Sequence, residues 1–215
     1  MGTRHLIVIY YNGKYVLAQY GQWDGYPEGQ GFQILKFLSK PGQITALKSN
    51  LHLLQVATPD ELKAIDKECE QADNEEQQRL RRLVLVFEEC ALNRRYPSLS
   101  RDTSAKILNI IADAKDDKPI LIKEVKEELE FAKDGLFCEW VYVIDLDTNE
   151  LKVSGGGVAQ FDVEAPQFFV EFDIEKLPGE KEFLSKIVNG MSEKNDEEGE
   201  ENSEKNKMSM VNRQR

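Results

Sequence analysis

Asn12-Gly13 lies between two runs suited to β-strands, Leu6-Ile7-Val8-Ile9-Tyr10-Tyr11 and Lys14-Tyr15-Val16-Leu17-Ala18-Gln19-Tyr20. Both central positions of a two-residue hairpin turn want positive φ, and Asn-Gly is the dipeptide that accepts it most readily. The chain is therefore expected to open on a β-hairpin of β-branched and aromatic residues.

Helical spacing follows. Phe32 to Leu38 reads as a helix broken by Pro41-Gly42, and Gln43 to Leu54 as a second. Thr58-Pro59-Asp60-Glu61 is a capping box with proline at the first helical position, opening a helix that runs to about Gln71. A long helix is expected from Glu75 to Arg95, with Leu80, Leu83, Val84, Val86 and Phe87 on its buried face. Another starts at Ser100, with cap oxygens in Ser100-Arg101-Asp102-Thr103 and a core stripe of Ile107, Leu108, Ile110 and Ile111. A short apolar piece at Pro119 to Lys123 and a charged helix through Lys126 to Phe131 lead to a stop at Asp134-Gly135.

Strand character returns over Phe137 to Leu146 and turns through Asp147-Thr148-Asn149 into Leu151-Lys152-Val153. Val158 to Val163 and Phe168 to Ile174 are further strands, and Glu180 to Val188 a last helix. Strands, then helices, then strands predict an α+β fold. The N-terminal β-hairpin and C-terminal antiparallel strands form one sheet system, packed by a central block of helices.

A chain of 215 residues with 40% hydrophobic content can bury one sizeable core. Residues 1–190 are expected to form a single globular domain. Residues 191–215 are expected to form a disordered charged tail, because Ser192 to Glu204 holds no apolar side chain to bury. The net charge is −11, and most of it belongs to the body rather than the tail. No basic stripe is available for phosphate, which argues against nucleic acid or an anionic membrane as partner. Arg79, Arg81, Arg82, Arg94 and Arg95 read as a solvated helix face.

No apolar run approaches the roughly 18 to 20 residues of a membrane span. The stretch Leu6 to Tyr11 is too short for a signal peptide, and Leu6 stands where an N-myristoylation signal wants Ser or Thr. Cys69, Cys90 and Cys138, an odd set without CxxC spacing, fit reduced thiols in the cytoplasm or nucleus. His5 and His52 belong to no metal-ligand grouping, so neither a metal nor a cofactor is expected. The oligomeric state is left open.

Tyr20-Gly21-Gln22-Trp23-Asp24-Gly25-Tyr26-Pro27-Glu28-Gly29-Gln30-Gly31 holds four of the fourteen glycines and one of two tryptophans, with no aliphatic side chain. Glycine serves where φ must be positive or where a group must approach the backbone closely, so the loop is a candidate surface for a ligand or partner. Trp23 and Tyr26 can stack on a ring, Gln22 can orient a polar group, and Asp24 can accept a proton or hydrogen bond. The same residues also fit a structural loop, with tight turns at Asp24-Gly25 and Tyr26-Pro27 and aromatic anchors on the core. Arg101 and Asp102 form a second candidate, as an anion clamp at a helix start or as plain caps. Cys138, beside Glu139 and Trp140 on a strand, reads as a buried structural thiol, since neighbouring strand residues face opposite ways.

Gly2-Thr3 ahead of this hairpin resembles the opening of proteasome-type N-terminal-nucleophile hydrolases over about the first 20 residues. That resemblance implies cleavage before Thr3, whose own amine then activates its hydroxyl as nucleophile. Gln19 stands where that family carries an acidic residue, and Lys36 is the nearest lysine. A broader resemblance, over most of residues 1 to 160, is to a group of uncharacterised fungal proteins with relatives in bacteria and phages. It rests on Gly2-Thr3-Arg4-His5, the run Gln19 to Gly31, Leu99-Ser100-Arg101-Asp102-Thr103, Phe137-Cys138-Glu139-Trp140 and Asp145-Leu146-Asp147. It implies that these segments belong together. The expected function is binding of a small polar molecule or a peptide end by the glycine loop, with Thr3, Arg4, Arg101 and Asp102 alongside; the alternative is amide hydrolysis from Thr3.

Overall fold

The first hairpin consists of β1 (His5–Tyr11) and β2 (Lys14–Gly21), with φ of 53° at Asn12 and 72° at Gly13. Those are the two left-handed residues the turn requires. Asp147 braces the turn from outside, its carboxylate accepting from Asn12 N–H at 2.9 Å and Gly13 N–H at 2.8 Å. The computed structural model describes residues 2–83, 89–115, 118–134, 136–155 and 167–192, without the side chains of 78–83.

In chain order the next elements are α1 (Phe32–Leu38), α2 (Gln43–Asn50), β3 (Leu54–Val56), α3 (Pro59–Leu83) and α4 (Ala91–Arg95). They are followed by α5 (Lys106–Ala112), β4 (Ile120–Ile122), α6 (Val125–Phe131), β5 (Trp140–Asp145), β6 (Glu150–Gly155) and β7 (Val170–Asp173). A helix over 180–192, α7, closes the described chain.

The fold is α+β, built on a five-stranded mixed sheet in the order β2-β1-β5-β6-β7. Among the three C-terminal strands β6 runs antiparallel to both of its neighbours, β5 and β7, and β5 joins the hairpin by running parallel to β1, from His5 opposite Trp140 to Tyr10 opposite Asp145. A parallel pair needs a long crossover, which the central block of helices supplies.

Alternation along the strands sends Ile7, Ile9, Leu17, Tyr142, Ile144, Leu151 and Val153 to the face covered by α1, α2, α5 and α7. Leu6, Val8, Ala18, Val141 and Val143 go to the other face, under Leu129 of α6. Burial on both faces explains why β1 and β5 read as continuous apolar runs. A satellite cluster of Ile65, Cys69, Ala91 and Leu99 joins α3 to α4.

Several elements depart from the expected boundaries. The second helix stops at Asn50, whose side-chain amide donates to the carbonyls of Ile111, Ala112 and Ala114 at 2.9, 3.2 and 3.0 Å, and the chain then enters β3, paired in parallel with β4. The helices expected to Gln71 and from Glu75 are one continuous helix, α3. That long helix does not continue to Arg95: Cys90 is extended, with ψ of 156°, and α4 starts afresh, its Ala91 N–H capped by the Asp73 carboxylate at 2.7 Å. Arg94 pairs with Glu76, and Arg95 with Glu68 at 2.7 Å, so these two arginines tie α4 to α3. The side chains of Leu80 and Leu83, residues Val84, Val86, Phe87 and Gly135, the strand expected over 158–163 and the tail from 193 lie outside the described residues.

Among the described residues no helix is long and apolar enough to cross a membrane, and the three cysteines are free. The capping box forms as its sequence demands. Glu61 accepts from Thr58 N–H at 2.8 Å, and Thr58 Oγ1 accepts from Glu61 N–H at 3.2 Å. Thr58→Ala is expected to destabilise by about 1 kcal/mol. Urea unfolding measures this, and an unchanged midpoint would show that the start of α3 is not coupled to global unfolding.

Candidate functional site

The glycine loop is shaped by close approach rather than by unusual backbone angles. None of Gly21, Gly25, Gly29 or Gly31 has a positive φ, and the left-handed residue of the loop is Asp24, at 58°. Glycine is needed because side chains occupy the space a Cβ would take. At Gly21 that space is filled by the His5 ring and the Ser104 hydroxyl, and at Gly25 by His5 Cβ and Nδ1 and the Thr3 carbonyl, each 2.8 Å from the Cβ position. At Gly29 it is filled by Asp24. After Tyr26 the chain winds through a π-helical turn, Pro27–Gly31, directly into α1.

The loop is fastened from several directions. Gly25 N–H donates to the Thr3 carbonyl at 3.0 Å, and the Gly25 carbonyl accepts from the buried Tyr142 hydroxyl at 2.8 Å. Buried Gln30 accepts from Ala105 N–H at 3.1 Å. Gln22 N–H donates to the Arg101 carbonyl at 3.0 Å. Trp23 stays 50% exposed and Tyr26 51%, yet the Trp23 indole N–H donates to the Asp102 carboxylate at 3.0 Å.

The segment before α5 is not a helix start. Ser104 has a φ of 48°, which α-helical backbone excludes, so α5 begins only at Lys106, and Ser100 and Asp102 are used elsewhere. The Ser100 hydroxyl donates to the Asn93 side chain and accepts from Asp102 N–H at 3.1 Å, while Asn93 donates to the second Asp102 oxygen at 3.0 Å. The expected anion clamp at a helix N-terminus is therefore absent. Asp102 instead bridges Trp23 to α4.

Two cations meet at the same corner. The Arg4 guanidinium lies 4.4 Å over the Phe137 ring, and its Nε is buried with no hydrogen-bond partner. Among the described residues neither Arg4 nor Arg101 is in an ion pair. Burial raises the Tyr20 phenol, and the charges of Arg4 and Arg101 pull it the other way, so both guanidinium groups lie in electrostatic reach of one hydroxyl. That hydroxyl donates to the Gln22 side chain at 2.6 Å.

A cleft of about 430 Å³ adjoins this corner. Its polar rim includes Arg101, Asp102 and Lys123, and Leu62, Ile65, Leu92 and Leu99 contribute apolar wall from the satellite cluster.

The structure thus brings Arg4, Gln22, Trp23, Arg101 and Asp102 to one corner. Asp24 is exposed on the loop with its carboxyl against Gly29, and Tyr26 is exposed nearby in sequence. Thr3 is 6% exposed, Gln19 is buried and donates to the Ser100 carbonyl at 3.0 Å, and Lys36 is on the exposed side of α1. Sequence reasoning missed Tyr20, Asn93 and Lys123, whose involvement depends on contacts between distant segments. It weighed His5 only as a metal ligand, a role it set aside, and so overlooked its packing against the loop. Cys138 is buried, and that burial pushes its thiol up to about 12, as befits a structural residue. Comparison with protein-family models, curated proteins and solved structures gives no match.

His5 is fully buried, its Nδ1 lies 3.4 Å from the Thr3 carbonyl, and its Nε2 has no hydrogen-bond partner. Burial pushes its pKa down to about 4 from 6.5, against the smaller opposing effect of Thr3. Because the unfolded chain takes a proton that the folded one refuses, stability is full above pH 6.5 and declines as pH falls towards 4. The loss across that window is about 3 kcal/mol. Urea titrations at several pH values should show it, and His5→Gln should flatten the slope above pH 5; an unaltered slope would assign the effect to other groups. Gly21→Ala should destabilise by roughly 1 to 3 kcal/mol or more, because a methyl group collides with the His5 ring. Asp24→Gly should stay within about 1 kcal/mol of the parent, since it removes a left-handed non-glycine residue. Thermal melts of both variants test the close-approach account, which a harmless Gly21→Ala would overturn.

Proposed function

We propose that this chain is a binding module that takes a small polar molecule or a peptide end at the corner where the loop 20–31 meets residues 99–103. The observation that carries the reading is the half-exposed Trp23. Its indole is held by Asp102, which, with Arg101, lines a cleft large enough for a small molecule. An exposed aromatic hydrogen-bonded beside Arg101, which has no ion pair among the described residues, has the composition of a recognition hot spot.

Binding is favoured over hydrolysis from Thr3 because Thr3 is buried and its carbonyl is engaged by Gly25. Intact-mass spectrometry checks that preference: a mature chain beginning at Thr3 would restore the hydrolase reading.

The main test follows the Trp23 indole N–H resonance while small carboxylates, phosphates, amino acids and short peptides are added. At least one class is expected to move it, with the signal of the buried Trp140 as internal control. Trp23→Ala combined with Asp24→Gly should abolish that binding and leave Tm within a few degrees of the parent. A large fall in Tm, or no response to any class, would leave the loop with a structural role only.

A further inference from the structure

Arg4 and Arg101 are unusual cations for this chain. With 39 acidic residues against 28 basic ones, a guanidinium easily finds a carboxylate, and Arg94 and Arg95 do. Among the described residues Arg4 and Arg101 do not, although both lie within electrostatic reach of the Tyr20 hydroxyl.

The same electrostatic neighbourhood reaches the cleft. Glu128 also acts on Tyr20, and Glu128 pairs with Lys123 at 3.5 Å, while Lys123 and Arg101 both line the cleft. Asp102 contributes little free acceptor capacity there, because its two oxygens already receive Trp23 and Asn93. Asp66 is the other acid of the lining. The cleft wall below the cations is aliphatic, from Leu62, Ile65, Leu92 and Leu99. A recognition site with cations at its mouth and leucine-type walls selects a molecule that carries both features close together.

Resting on the binding reading above, we propose that the ligand is an aliphatic carboxylate of amino-acid type. Its carboxylate is received by Arg101 at the rim of the cleft, and its branched side chain enters the cleft. This chemistry occurs in a free aliphatic amino acid and in a peptide whose last residue is Leu, Ile or Val. In either source the carboxylate is the anion that a guanidinium binds through paired N–H donors. The Trp23 indole N–H meets the rim of the cleft at Asp102.

Isothermal titration of the full chain with leucine, N-acetyl-leucine, Gly-Gly-Leu, amidated Gly-Gly-Leu and Gly-Gly-Asp tests this. Gly-Gly-Leu and N-acetyl-leucine are expected to bind alike if the source is a chain terminus. Tight binding of leucine alone would assign the site to the free amino acid. Where a chain terminus binds, amidation of Gly-Gly-Leu or replacement of its Leu by Asp should weaken binding at least tenfold; where leucine alone binds, leucinamide and aspartate should bind at least tenfold more weakly than leucine. Arg101→Gln should weaken Gly-Gly-Leu by roughly 10- to 100-fold, the range of a lost charge-assisted hydrogen bond. Leu62→Gln should weaken it without altering the preference for a free carboxylate. Circular dichroism and Tm of both variants, matched to the parent, separate loss of binding from loss of fold. Equal affinity for free and amidated peptide would overturn the carboxylate assignment while leaving the broader binding reading intact. An absence of binding by every aliphatic carboxylate, with the Trp23 resonance moved by some other polar class, would do the same.

Discussion

The parallel pairing of β1 with β5 is the constraint from which the rest of this molecule follows. It places His5 opposite Trp140, two positions far apart in the chain, and leaves everything between β2 and β5 to act as one crossover. A crossover of that length must find its own burial, and it does so in two ways. The helices α1, α2 and α5 lie on the sheet, while α3 and α4 pack on each other around Ile65, Cys69, Ala91 and Leu99. The pairing also fixes where chemistry can gather. The start of β1, the end of β2 and the start of β5 lie at one end of the sheet, so Arg4, Tyr20 and Phe137 are neighbours because of strand register. Residues 99–103 reach the same end through the Arg101 carbonyl and the Ser100 carbonyl, which accept from Gln22 and Gln19.

Polar satisfaction separates the two roles of this end. The loop's own groups are almost all spoken for: Gly25 by Thr3 and Tyr142, Gln30 by Ala105, and Trp23 by Asp102. Two of the unmet polar atoms of the described residues, Arg4 Nε and His5 Nε2, lie at the start of β1, where the His5 ring packs against Gly21 and Gly25 of the loop. His5 is walled in by glycines, and its missing partner belongs to a cage that excludes water and keeps the ring neutral. Arg4 is half-buried as a whole, with its guanidinium over the Phe137 ring and its Nε enclosed.

What could be read from the chain was what is decided locally. The Asn12-Gly13 turn and the Thr58 capping box are each settled within four residues, and both form as expected. The end of α2 and the start of α5 were misjudged for reasons that local pattern does not carry. Leu51 to Val56 is apolar enough for helix or strand, and pairing with β4 decides it. Ser104 adopts a left-handed φ without being glycine or asparagine, held in a buried position beside His5 and Gly21. At the site, the glycine-rich composition singled out Gln22 and Trp23, an expected helix start singled out Arg101 and Asp102, and the resemblance of Gly2-Thr3-Arg4-His5 brought in Arg4. Their convergence through Tyr20 and Asn93 is a product of register and crossover, and no spacing in the sequence encodes it.

A loop fixed this firmly has a consequence for binding. Ordering a flexible loop against a ligand costs affinity, at about 0.5 to 1.5 kcal/mol for each immobilised side chain. Here that ordering is done during folding, by strand pairing and by hydrogen bonds from Thr3, Tyr142, Ala105 and Asp102. Close packing around His5 then turns from an incidental crowding into the reason Trp23 stays put. The glycines let β2 and the loop close onto the imidazole, the imidazole holds the path of Thr3 to His5, and Gly2, at the start of that segment, lies directly against the indole. The recognition proposed for this surface would thus depend on a histidine that never reaches solvent.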